Sequence, residues 1–317
     1  MNATGDTLLE SIHRAAARYP RAARTCEELL QLSPTLLRGQ MIYLLDHYGE
    51  AFWKQAEWLV GLALDLGGSP AQALIEYTVA YLKEQVRFVQ TDSYSHTDFD
   101  EVFKEVYGNP EVMEKFYLEG LMLTHAFWPI HFDMHAFFRD EFLPRVPDSG
   151  TGAEYGFGHG LYLLEVLTHK PGTRARGFDI SPSSHKYASR LLKHCKIADN
   201  RYSLGLADVR QPLDCPDGAY AWTIFAEIIE HIPDPLFSLR ELRRCMAPRA
   251  PLFATTVVNS NAIDHLVLYR DVKEVQNLLR DAGFEVVAEK VLRVSDYGTT
   301  KSKDPSIDVA YVCIPKQ

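Results

Sequence analysis

Glu154-Tyr155-Gly156-Phe157-Gly158-His159-Gly160 is the stretch on which the reading of this chain turns. It stands where a first strand should give way to a first helix. Glycines at alternate positions let the backbone turn tightly and approach a ligand with no Cβ in the way. Taken alone, such a run fits a plain loop or a dinucleotide site equally well. Its surroundings narrow the choice. Apolar runs at 153–156, 175–180, 202–208, 219–226 and 251–258 alternate with helical stretches, the rhythm of a parallel sheet with crossover helices. A helix over 271–282 stops at Gly283, and two strands in succession, 284–294 and Ile307–Pro315, would pair antiparallel at the sheet edge.

Acids stand at the strand ends. Asp179 closes the second strand, 19 residues after Gly160, where a carboxylate accepts both hydroxyls of a ribose. Asp208 closes the third, inside Gly205-Leu206-Ala207-Asp208-Val209, where it can accept from an adenine amino group. One acid at the end of each of three consecutive strands places a ligand at the carboxyl edge of an open parallel sheet.

On these residues the segment from 150 to 315 resembles a class I S-adenosyl-L-methionine (SAM)-dependent methyltransferase domain. The resemblance implies an α/β fold: a Rossmann-like seven-stranded sheet, here with an all-helical N-terminal domain. It also implies that the loop of Glu154, Gly156, Phe157, Gly158 and Gly160 wraps the methionine end of SAM. Asp179 with Ile180 would hold the ribose, and Asp208 with Val209 the adenine. One feature departs from that family. Its first strand is usually a strong apolar run, whereas Gly150-Thr151-Gly152-Ala153 is poor strand sequence.

A second constellation follows the fourth strand. Glu227, Glu230 and His231 are spaced i, i+3 and i+4, so on a helical turn they share a face, and Pro233 and Pro235 end the turn at once. Two carboxylates and an imidazole suit a divalent ion such as Mg, Mn, Fe or Zn. His265, after the fifth strand, is a fourth ligand candidate. The metal-free alternative makes His231 or Glu227 a general base for N- or O-methylation and leaves Asp264 or His265 as a helix cap. Glu-x-x-Glu-His with a later His resembles the metal site of ubiquinone-pathway O-methyltransferases and of small-RNA 2′-O-methyltransferases. That resemblance implies that Glu227, Glu230, His231 and His265 hold an ion that binds the acceptor oxygens, with His231, Glu227 and His265 catalytic. Catechols, vicinal diols and 2-oxo acids carry the two neighbouring oxygens such an ion prefers. Metal-dependent 2-oxo acid C-methyltransferases of antibiotic and non-ribosomal peptide pathways also join a helical N-terminal region to a class I domain. On that resemblance C-methylation of a 2-oxo acid, in natural-product biosynthesis, is slightly favoured over O-methylation of a catechol or diol.

The N-terminal half reads as helices over 6–142. In 51–66, Phe52, Trp53, Ala56, Leu59, Val60 and Ala63 make an apolar stripe, and Gly67-Gly68-Ser69-Pro70 ends that helix and starts the next. Asn109-Pro110 opens a long aromatic helix carrying His125, His131 and His135. His131 and His135 share a face there and could line the acceptor pocket, but satisfied core or surface histidines are the better expectation. His159 lies close to the cofactor by position. A linker over 144–152 divides the chain into 1–143, either a lid on the acceptor pocket or a homodimer interface, and 144–317, the SAM-binding part. Composition bounds the partners. With 42 acids against 33 bases and a net charge of -9, the chain repels a polyanion, and no basic run offsets this. A small-molecule acceptor is therefore expected and a nucleic acid is not. Five scattered cysteines without a C-x-x-C pair, no basic-then-apolar N-terminus and no apolar run of 18 residues suggest a cytoplasmic protein without a membrane partner.

Overall fold

The computed structural model describes residues 5–297 and 306–316. Seven strands form one sheet: β1 (Gly150–Tyr155), β2 (Thr173–Asp179), β3 (Tyr202–Leu206), β4 (Thr223–Ala226), β5 (Leu252–Val258), β6 (Phe284–Arg293) and β7 (Ile307–Pro315). Their spatial order is β3-β2-β1-β4-β5-β7-β6. The first five run parallel, and β7 lies antiparallel between β5 and β6. This is the class I, Rossmann-like sheet, with a helical region ahead of it. The order reverses between β1 and β4, and such a reversal opens a crevice at the carboxyl ends of the strands.

The first strand begins earlier than its sequence suggests. Gly150-Thr151-Gly152 belong to β1, not to a linker, and pair with Thr173, Arg174 and Ala175. A Cβ on Gly152 would lie 2.0 Å from the indole of Trp222, which is fully buried. The indole N–H donates to Thr173 Oγ1 at 3.1 Å, which fixes the ring across the strand. The glycine that weakens strand propensity is thus the residue that admits this ring.

Before the sheet the described residues are helical. Helix Glu50–Asp65 buries the expected stripe, from Phe52 to Ala63. Pro70 opens Pro70–Thr91, where its missing N–H costs nothing, and Asp92 ends that helix with φ 50°. The aromatic stretch after Asn109 is not one long helix. Trp128 is extended (φ -106°, ψ 120°) because Pro129 disfavours helical backbone in the residue before it, so Leu118–Phe127 and Pro129–Phe137 are separate helices. The turn that continues the second of these, Phe138–Phe142, docks on the sheet: the Phe138 and Phe142 ring centroids lie 5.0 and 5.6 Å from that of Phe253 on β5. Among the described residues no single helix is long and apolar enough to cross a membrane.

Candidate active site

A cavity of about 750 Å³ runs along the carboxyl edge of the sheet, from the glycine loop to β7. Helices Pro70–Thr91, Leu118–Phe127 and Pro129–Phe137 supply its roof through residues such as Tyr77, Tyr81, His125 and Trp128.

At one end lies the loop after β1. Gly156, Gly158 and Gly160 all have positive φ (70°, 51° and 80°), which favours glycine. Their surroundings separate their tasks. A Cβ on Gly156 would come within 2.1 Å of Ile228 Cδ1, and one on Gly160 within 2.8 Å of Ala188 Cβ. A Cβ on Gly158 would meet no described atom within 4 Å; it would stand in the cavity. Gly160 does not line the cavity, so its expected contact with the cofactor becomes a helix-packing role instead. Asp179 organises the loop: Oδ2 accepts from Gly158 N and Oδ1 from Ser181 N, both at 2.8 Å. Burial raises its carboxyl to about 6 against these hydrogen bonds. Glu154 is buried at the end of β1 with Oε2 unpaired, and burial holds it well above the usual carboxylate range. Phe157, Ile180 and Val209 also line this end.

Asp208 lies two residues beyond β3 rather than in it, and it lines the cavity. Its carboxylate is already engaged. Arg210 grips both oxygens (Nε at 3.0 and 3.1 Å, one Nη at 2.8 Å) and lies over the Phe99 ring. Contact with an adenine amino group would have to share this ion pair.

Around β4 the helical turn expected for Glu227, Glu230 and His231 does not form. Glu227 has φ 53°, outside any helix, and its N–H donates to Thr255 Oγ1 on β5. Only Ile229–His231 make a short 3-10 turn. Glu227 leaves the helical face, although its carboxyl stays beside that of Glu230. The group whose ligand atoms lie within 4.8 Å of one another is Glu230, His231 and His265. Glu230 sits fully buried beneath the cavity, with Oε2 accepting from Thr256 Oγ1 at 2.7 Å and Oε1 unpaired. His231 donates from Nδ1 to the Asp264 carbonyl at 2.8 Å, and His265 from Nδ1 to the Ser260 carbonyl at 3.2 Å. A carbonyl only accepts, so both rings keep a lone pair on Nε2. His231 Nε2 lies 3.6 Å from Glu230 Oε1. Burial, reinforced by the charge of Glu230, pushes Glu227 up to about 8, and burial raises Glu230 to about 7; His265 is pushed down to about 4 by burial.

Sequence reasoning offered Asp264 only as a helix cap and did not single out Tyr107, Tyr117 or Asp308. Asp264 accepts from the phenols of Tyr107 (3.0 Å) and Tyr117 (2.6 Å). Burial would raise its carboxyl, but the two imidazoles and the two phenols outweigh it and hold it low. Asp308 on β7 lines the far wall. Its only signal was a lone acid within an otherwise apolar strand. The histidines of the aromatic helices divide. His125, His131 and His159 line the cavity, whereas His135 is buried 3.0 Å from Glu165 and outside it.

Residues 134–289 match the family model described as a methyltransferase domain. No curated protein matches the sequence. Solved structures similar to this fold include phospholethanolamine N-methyltransferase 2 from Haemonchus contortus (10% identity over 71% of this chain and 62% of that one, TM-score 0.50). Two others are geranyl diphosphate C-methyltransferase from Streptomyces coelicolor A3(2) (12%, 68% and 88%, TM-score 0.49) and a SAM-dependent methyltransferase from Aquifex aeolicus (16%, 68% and 99%, TM-score 0.42). At 10% identity the likeness to the first of these speaks to the fold alone.

Proposed function

We propose that this chain, whose residues 134–289 match a methyltransferase domain, is a SAM-dependent methyltransferase that methylates a small acceptor held through two neighbouring oxygens by a divalent ion. The observation that carries the ion is the orientation of the donors. Three buried side chains converge: the unpaired Oε1 of Glu230 lies 3.6 Å from the Nε2 lone pair of His231, and His265, whose Nδ1 is likewise engaged by a carbonyl, offers a ligand atom within 4.8 Å of theirs. Main-chain carbonyls fix both tautomers, as outer partners of metal-bound histidines do. Glu227, with one oxygen unpaired on the same side of the cavity, is the fourth candidate. When bound, a divalent ion supplies positive charge that acidifies an acceptor hydroxyl.

The remaining residues bind and orient. Asp179, fixed by Gly158 N and Ser181 N, is the acceptor for the ribose hydroxyls of SAM. The open space over Gly158 gives its methionine end room. Tyr107 and Tyr117 pin Asp264, whose carbonyl sets the His231 ring. The roof of Tyr77, Tyr81 and Trp128 keeps water from the sulfonium methyl.

The lining also weighs on the acceptor. Arg270 is the only Lys or Arg among the described lining residues, and it is paired with Asp92 at 2.6 Å. An acceptor carboxylate would find no free side-chain cation among the described lining residues. A catechol or diol, methylated on oxygen, fits this wall better than the 2-oxo acid that the sequence resemblance favours. The test is transfer of labelled methyl from SAM to protocatechualdehyde or to phenylpyruvate, with Mg2+ or Mn2+ and with a chelator. Label on the catechol, lost in chelator, is expected. Label on C3 of phenylpyruvate would return the reading to C-methylation, and transfer that survives chelation would remove the metal.

A further inference from the structure

The far wall of the cavity carries a carboxyl group for which this methyl transfer has no task. Asp308 lies in register with Val257 of β5 and Leu292 of β6, and its side chain is about nine-tenths buried yet reaches the cavity. Among the described residues no group donates a hydrogen bond to either oxygen. Among the described residues the basic side-chain nitrogen paired with it is Nε2 of His131, 3.6 Å from Oδ2. That nitrogen is an acceptor too. The Thr124 hydroxyl donates its proton to the Leu121 carbonyl at 2.6 Å, so it must accept from His131 Nδ1–H, also at 2.6 Å. The lone pair is left on Nε2, facing the carboxylate.

Among the described residues no donor stands between the imidazole lone pair and this carboxyl, which burial and the charge of Glu227 hold well above the usual carboxylate range, so a cation lodged there would restore its charge. Aromatic rings complete the corner. The Trp128 ring lies 5.2 Å from that of His131, and the Tyr81 ring 5.0 Å from that of Trp128. All of them line the cavity, and its one arginine is taken by Asp92. We propose that a protonated amine on the acceptor lodges between Asp308 Oδ2 and His131 Nε2, beside the rings of Trp128 and Tyr81. An ammonium brings several N–H donors and a positive charge, and meets carboxylate, imidazole lone pair and ring quadrupoles at once. A neutral hydroxyl brings no charge to offset burial and leaves the carboxyl protonated. The amine of SAM itself does not suit this place: β7 is three strands from β1 in the sheet, about 14 Å away.

The inference rests on the reading that the β4–β7 half of the cavity holds the acceptor, but its test needs neither metal nor methyl transfer. Protein saturated with S-adenosylhomocysteine, in chelator at neutral pH, is titrated calorimetrically with phenethylamine and with its neutral analogue 2-phenylethanol. The amine is expected to bind at least about tenfold more tightly. That preference should fall to within about twofold in Asp308→Asn, with retained S-adenosylhomocysteine binding reporting the fold. His131→Ala, the second variant, should cut the preference by about threefold or more. Equal affinity for the two probes, no binding of the amine, or a preference that survives both variants overturns the proposal. Because no ion is present, such a failure leaves the metal reading untouched, and a failure of the metal leaves this one.

Discussion

Gly158→Ala separates what the glycine loop does for the fold from what it does for the ligand. At φ 51° an alanine is strained by about 1 kcal/mol. The new methyl meets no described atom within 4 Å, so no steric cost adds to this in the empty protein. The melting temperature should fall by about 2–4 °C. The same methyl projects into the cavity beside the carboxylate that binds Gly158 N, where it would overpack a ligand by about 1–3 kcal/mol. Affinity for S-adenosylhomocysteine, measured by calorimetry, should therefore drop by about ten- to a hundredfold. Gly160→Ala is the converse case. Its Cβ would press on Ala188 at 2.8 Å, away from the cavity, so stability should suffer more than affinity. Binding of S-adenosylhomocysteine to Gly158→Ala within about threefold of wild type would refute the placement of the cofactor on this loop.

Gly152→Ala should cost about 3 kcal/mol or more, because the Trp222 ring at 2.0 Å is buried and held by Thr173; an unchanged thermal transition would contradict the account of β1. The affinity for S-adenosylhomocysteine should be full above pH 6 and weaken as pH falls through about 6, since protonated Asp179 is a poorer acceptor for ribose; a flat calorimetric profile from pH 8 to 5 would argue against that role. Glu165 has the opposite shift: burial would raise it, but His135 and the ion pair with Arg139 overcome this and hold it at about 2. Its folded pKa lies below the ordinary 4.5, so its stabilisation is full above about 4.5 and is lost as pH falls toward 2. Glu165→Gln should therefore lose about 3 kcal/mol at pH 7 and show less acid dependence over that window, as denaturant titrations at about pH 7, 4 and 2.5 would read.

The sheet was largely legible because buried parallel strands are short apolar runs and their ends carry polar residues. Where reading failed, a tertiary partner overrode a local signal. Gly150-Thr151-Gly152 reads as a loop because propensity cannot see Trp222, 70 residues beyond Gly152. The aromatic stretch after Asn109 reads as one helix because apolar residues run on both sides of Pro129, yet that proline makes Trp128 extended and parts the two. Glu227, Glu230 and His231 have helical spacing, yet the hydrogen bonds of Glu227 N to Thr255 hold it in a left-handed conformation that spacing cannot report. The pairing of His131 with Thr124 and Asp308 joins a helix to the last strand, 177 residues on, and no local pattern carries such a contact.

The most direct test of the central claim is a crystal structure of the protein with S-adenosylhomocysteine and Mn2+, read by anomalous scattering at the manganese edge. The account predicts the cofactor product along the glycine loop and one manganese peak within about 2.3 Å of Glu230 Oε1, His231 Nε2 and His265 Nε2. Bound S-adenosylhomocysteine with no anomalous peak at those three side chains would contradict it.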